Sequence, residues 1–268
     1  MFEIFEYEFM INALLASILA SVACGIIGTY IVIKRLVFLS GGIAHSAYGG
    51  IGLGYLLSFN PIFGAVASSI LGAIFVSKMR ENKSENEDTL IGIIWAFGMA
   101  LGVLFISLSP GYAPDLMSYL FGNILTVSKT ELLLMLIADL IIIITVGIFY
   151  KHFQAITFDE EYSKTTGMNV ERLYLLLFIL IAVTIVLLIK LVGIILVVAL
   201  LTIPAAISKF FAKSLKMMML FAISFGLLFT VVGLLSSYYL NLASGSAIII
   251  LSVFGYFVAY SFNLFFHK

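Results

Sequence analysis

Charge is scarce in this chain, and its scarcity excludes more than any motif admits. Only 10% of the 268 residues are Asp, Glu, Lys or Arg, against about a quarter in soluble globular proteins. No soluble domain of any size is expected. The 14 basic and 14 acidic residues cancel, so the basic footprint that a nucleic-acid partner needs is missing. There is a single cysteine, Cys24, which rules out an internal disulfide framework. Set in an apolar run, it is expected as a small packing residue. The chain carries no Gly-x-x-x-x-Gly-Lys-Ser/Thr loop and so does not bind nucleotide by that device. It has no His-Glu-x-x-His either, which disfavours an intramembrane zinc protease.

What the chain has instead is apolar length: 63% of residues are hydrophobic and the mean hydropathy is +1.20. A membrane-crossing helix needs about 20 apolar residues. Candidate spans are 9–33, 36–57, 62–77, 89–108 and 132–150, then 217–240 and 246–266. The first follows an acidic start and exceeds a signal-peptide core of about 7–15 residues, so it reads as a retained span. Between them, 173–207 is broken only by Lys190 and Gly193. As one straight helix it would reach about 52 Å, against a hydrocarbon core of about 30 Å. It is expected to turn near Lys190, as two short crossings or as one span plus a re-entrant piece. The sum is an all-α polytopic membrane protein with nine crossings, or eight as the alternative, in the cell (plasma or inner) membrane.

The few basic residues are placed by a rule. Lys34–Arg35, the breaks at 78–83, 151–172 and 209–216, and the final Lys268 hold 12 of the 14 Lys and Arg residues. The intervening breaks hold only Lys129 and Lys190. Cytoplasmic loops carry such an excess. The N-terminus is therefore expected outside and the C-terminus inside. The outer breaks at 60–61, 109–114 and 241–245 are short and turn-like, and 116–127 is expected as a partial or surface-lying helix. On the inner side, 158–172 and 204–216 are long enough to meet a partner. The whole chain, 1–268, reads as one transmembrane domain, so energy for any work must come from another chain or from an ion gradient.

Two ionisable residues stand inside spans. His45 lies on the second span, where Gly42, Ser46, Gly50 and Gly54 recur every fourth residue and form one smooth face. Small-residue faces let helix backbones approach closely in lipid, so this span is expected at the centre of the bundle. Gly41 and Gly49, one turn either side of His45, are expected to leave its ring room to point into a cavity. Ionisable groups in the membrane face a bundle interior or a water-filled path, and imidazole is a common metal ligand. The alternative role for His45 is hydrogen-bonded glue between helices. Asp139 lies mid-span, where a carboxylate costs about 3 kcal/mol and demands a compensating partner. Lys190 reads as a snorkelling residue at a turn, and His152 and His267 as solvated ends.

These features, in order, resemble the membrane permease subunit of zinc-, manganese- and iron-type ABC importers that depend on a binding protein. The residues that carry the resemblance are Ala44-His45-Ser46, Asp88-Thr89-Leu90-Ile91-Gly92, Tyr119-Leu120-Phe121-Gly122, and Phe158-Asp159-Glu160-Glu161 with Gly167. The series continues with Gly193-Ile194-Ile195-Leu196-Val197, Ile203-Pro204-Ala205-Ala206 and Ser237-Tyr238-Tyr239-Leu240. It implies a homodimeric permease with a metal path along its two-fold axis, for which His45 and Asp139 are the candidate residues. No permanent cofactor is implied; a divalent transition metal ion is the cargo. A cytoplasmic ATPase dimer would drive it and an extracellular metal-binding protein would load it. Such permeases often carry an acidic residue four positions before the histidine, where this chain has Gly41, so Asp139 or a symmetry-related His45 would complete the ligand set. The expected ATPase contacts are Pro204–Lys216, with Pro204 opening a helix and Lys209 holding it at the inner surface, and secondarily Asp159, Glu160 and Gly167. The alternatives are a permease for iron chelates or cobalamin, and a self-contained secondary carrier.

Overall fold

The computed structural model describes residues 6–82, 87–110 and 122–266, and every regular element among them is helical. The long helices are α1 (Glu8–Ile33), α2 (Val37–Leu56), α3 (Pro61–Asn82), α4 (Glu87–Leu108) and α5 (Lys129–Ile148). Two short ones follow, α6 (Tyr150–Phe158) and α7 (Glu160–Thr165), then α8 (Val170–Phe211), α9 (Leu215–Leu240) and α10 (Ser244–Phe266). Helix starts are set by local chemistry. Asn60 accepts from the Ile62 N–H just ahead of Pro61, and Ser128 and Glu131 close a reciprocal capping box at the start of α5. Of the stretch 116–127, only 122–127 is described, and it forms a single 3-10 turn at Ile124–Thr126. Residues 119–121, His267 and Lys268 lie outside the described residues.

Among the described residues, eight segments are long and apolar enough to cross a membrane. They include α8 as two, Val170–Ile189 and Val192–Phe211. The break falls at Gly193, whose φ of 77° and ψ of 159° are not helical, three residues beyond the turn expected at Lys190. Eight is the alternative count read from the sequence; the 20-residue α2, expected as a further crossing, is not among them. Glycines and His45 dilute the hydropathy of α2, but 14 of its 20 residues are buried. A helix shielded from lipid by its neighbours need not be apolar throughout.

Two expectations about inner segments need correction. Pro204 does not open a helix: it lies inside α8, which continues to Phe211, and only three residues separate α8 from α9. The stretch 204–216 is therefore mostly helix, because the apolar run carries past the proline. The stretch 158–172 is not a plain loop either. Asp159 caps α7 by accepting from the Tyr162 N–H at 2.8 Å, and Gly167, at φ +80°, supplies the left-handed residue that ends it.

The backbone clusters into two compact units. One holds the described parts of Met1–Lys34, Leu116–Ile144 and Leu187–Lys268; the other holds Arg35–Asp115 and Thr145–Val186. In the first unit α1 packs on α9: a Cβ at Gly25 would press on Ile223, and the Ser21 and Thr230 hydroxyls lie 3.3 Å apart. Gly28 rests against the Leu201 carbonyl and Gly122 against Val192 and Gly193, so two motifs distant in sequence meet at glycines. Cys24 is buried and free, as a packing residue should be. The outer faces are apolar: Ile250, Phe254 and Phe257 on α10 are each more than 60% exposed. Apolar rows of this kind are stable only against lipid or another protein. The chain is a multi-pass membrane protein.

Candidate metal path and its supports

In the second unit α2 is wedged between α3 and α4 through two glycine stripes. Along the expected one, Gly42 meets Ile91, Ser46 sits between Gly72 and Gly98, Gly50 backs on Gly64, and Gly54 meets Pro61. The second stripe was not anticipated: Gly41, Gly49 and Gly52 lie against Trp95, Gly98 and Gly102 of α4. Gly41 and Gly49 therefore do not open a cavity beside His45, as expected; α4 fills both places.

That packing brings α4 side chains onto His45. The Trp95 indole stacks on the imidazole at 4.2 Å between ring centroids and 12° between planes. Met99, one turn further along α4, places its Sδ 3.1 Å from His45 Nδ1. A thioether carries no proton, so Nδ1–H is the donor, and in a neutral ring Nε2 keeps the lone pair. His45 is half-buried; in its neutral form, with Nδ1–H turned to Met99, Nε2 is free to ligate a metal. Trp95 and Met99 escaped the sequence reading, although their i, i+4 spacing beside Ile91 and Gly98 places them on one face.

Asp139 belongs to the first unit. On α5 the buried positions Met135, Ala138, Asp139 and Ile142 form one stripe, while Leu136, Ile137, Leu140 and Ile141 are exposed. Asp139 is 5% exposed, and its Oδ2 has no hydrogen-bond partner among the described residues. An unsatisfied oxygen on a buried carboxyl is costly unless a proton or a cation serves it. Among the described residues no group of three or more His, Cys, Asp or Glu gathers as a metal site.

A polar clamp sits where α3 ends and α8 begins. Arg80 Nη2 donates to Glu160 Oε2 at 2.9 Å, with its guanidinium carbon 3.5 Å from the centre of the Tyr174 ring. The Tyr174 hydroxyl donates to the same Oε2 at 3.1 Å, and Lys164 reaches Oε1 at 3.0 Å. The Glu160 carboxylate is thus committed inside the clamp, and Phe158 and Tyr162 are the exposed groups beside it. Lys209 is exposed in the last turn of α8, in the first unit. His152 is exposed, as expected.

Burial pushes the Glu160 carboxyl up, but the hydrogen bond from Lys164, the charge of Arg80 and the Tyr174 hydroxyl outweigh it and hold it below the ordinary range. A carboxyl depressed in the folded state stabilises above its unfolded pKa of about 4.3, and the contribution is lost as pH falls through the folded value. Proteolysis within 158–168 is therefore expected to keep one rate between neutral and mildly acidic pH, and to speed up several-fold in Glu160→Gln. A rate that climbs on mild acidification of the unaltered protein would contradict the clamp.

Comparison with known proteins places these features. Residues 6–263 match the family model described as the ABC 3 transport family. An uncharacterized membrane protein of Synechocystis is 48% identical over 98% of this chain and 94% of its own. The manganese transport system membrane protein MntC of Listeria monocytogenes is 32% identical, over 96% of this chain and 91% of its own. Among solved structures, PsaBC from Streptococcus pneumoniae in complex with Fab matches with a TM-score of 0.85 at 31% identity. That match covers 95% of this chain and 91% of the other.

Proposed function

The chain belongs to the ABC 3 transport family, and from that premise we propose that it is the permease of an importer for a divalent transition metal, zinc, manganese or iron. ATP hydrolysis is on a separate cytoplasmic ATPase dimer, and an extracellular binding protein delivers the ion. The observation that carries this reading is His45: an imidazole whose Nδ1 is engaged with Met99, on a glycine-packed helix inside a membrane protein. Two copies of the chain would enclose the path, and the apolar outer faces leave surface for a second copy as well as for lipid.

The alternation of basic breaks sets the N-terminus outside and the C-terminus inside. It is supported by the clamp, which joins Arg80 and Glu160 from two of the basic breaks. The segment 158–172 is then cytoplasmic. With Glu160 occupied, the exposed Phe158 and Tyr162 are the surface that meets the ATPase, while Asp159 and Gly167 shape the α7 turn that presents them. Lys209 and the α8–α9 junction are a second contact. Closure of the ATPase dimer on ATP would move these segments and tip the spans between outward and inward openings. The permease makes and breaks no bond in the cargo; it lowers the barrier for a hydrated cation by offering ligands in place of water.

Asp139 is the second path residue in this reading, its unpartnered oxygen serving the passing cation. Asp139→Asn keeps the shape and removes the charge, and metal uptake is expected to fall by about tenfold. Unchanged uptake would return Asp139 to a purely structural place. The importer itself is tested by reconstituting the chain with its ATPase and a metal-loaded binding protein. Stimulated ATP hydrolysis is expected with at least one of zinc, manganese and iron, and stimulation with none would contradict the assignment.

A further inference from the structure

We propose that Trp95 and Met99 decide which cation passes His45, favouring zinc over manganese. The inference rests on the importer reading above and names the cargo of the same path. Its starting point is what α4 does to the surroundings of the imidazole. A Cβ at Gly41 would lie 2.9 Å from Cζ3 of the Trp95 ring. Position 41 stands one helical turn from His45, on the same helix face, where a carboxylate could reach the same cation. The indole already fills that volume while stacking on the imidazole. Trp95 therefore keeps the step at His45 free of an oxygen ligand from position 41.

Met99 acts on the other nitrogen. By taking the Nδ1–H at 3.1 Å, it fixes both the ring orientation and the tautomer, as outer partners of ligating histidines do. It does so with a soft, uncharged acceptor in place of the usual carboxylate or carbonyl. While Nδ1 is engaged with Sδ, Nε2 is the nitrogen left to ligate a cation. What α2 and α4 offer is a neutral nitrogen donor backed by an aromatic face and a thioether. Imidazole donors suit zinc, while carboxylate, carbonyl and water oxygens suit manganese, and zinc stands above manganese in the general order of divalent affinities.

The test uses the complete importer in proteoliposomes. The binding protein is loaded in turn with zinc and with manganese, and metal delivered per ATP hydrolysed is recorded for each. The unaltered complex is expected to deliver more zinc than manganese per ATP. The pair Gly41→Asp with Trp95→Leu makes room for a carboxylate one turn from His45 and should lower the zinc-to-manganese ratio by about tenfold. Met99→Leu keeps the apolar volume but removes the acceptor, and zinc delivery per ATP should fall by about tenfold. Met99→Gln, whose amide oxygen accepts from Nδ1–H, should restore it. A merely structural methionine would show the reverse, with leucine tolerated and glutamine harmful. Normal stimulation of the ATPase with a ratio unmoved by the Gly41/Trp95 pair, or with leucine outperforming glutamine, overturns the specificity role and leaves the importer standing. Absence of stimulation by either metal in the unaltered complex removes the importer reading and this inference with it.

Discussion

Replacing His45 with alanine is expected to cut metal delivered per ATP hydrolysed by about 100-fold, the upper end of what loss of a single metal-site residue costs. Alanine at 45 removes the one imidazole in the described membrane segments and leaves Trp95 and Met99 facing a void the size of a ring. Neither neighbour supplies a replacement: an indole N–H has no lone pair to offer and a lone thioether binds divalent cations weakly. Radioactive metal uptake checks the loss, with ATP hydrolysis followed in the same vesicles. Delivery within a few-fold of the unaltered chain would reassign His45 to packing between α2 and α4.

The second large effect concerns folding. Gly50 on α2 and Gly64 on α3 lie with each backbone against the other, so a Cβ built on either would run into the partner's carbonyl. Valine at position 50 meets rigid backbone, which cannot swing aside as a side chain can. The expected cost is at least about 3 kcal/mol, at the top of the range for overpacked cores, and α2 would part from α3. Gly50→Val should therefore give no monodisperse protein after solubilisation. Gly147 is the control: nothing lies within 4 Å of an added Cβ there. Gly147→Ala should raise helix stability by about 0.5–1 kcal/mol and leave purification unaffected. Equal behaviour of the two variants in a thermal melt would contradict the α2–α3 packing.

These two expectations show where the sequence was legible. The spans could be read because lipid tolerates no unpaired backbone, which forces long apolar helices whose ends stand out as polar breaks. The smooth face from Gly42 to Gly54 could be read because close packing in lipid demands small residues at helical spacing. Asp139 announced itself by its cost. The partners of these groups were beyond the sequence, since nothing in the order of residues says that α4 lies along α2. Trp95 and Met99 therefore went unnoticed, and Gly41 was assigned an open space that an indole occupies. Pro204 misled for a related reason: proline usually marks a helix start, yet here the surrounding apolar run keeps α8 helical past it. Glu160 was expected to face a partner, and only the fold shows Arg80, Lys164 and Tyr174 converging on it. The six-residue α7 was too short for periodicity to reveal, although Asp159 is a common capping residue.

The most direct test of the account is uptake of radioactive zinc and manganese into proteoliposomes that hold this chain, its ATPase and its binding protein, with each omitted in turn. Uptake that needs all three and ATP is the expected result. Uptake that proceeds with this chain alone, driven by an ion gradient, would contradict the account and make the protein a self-contained carrier.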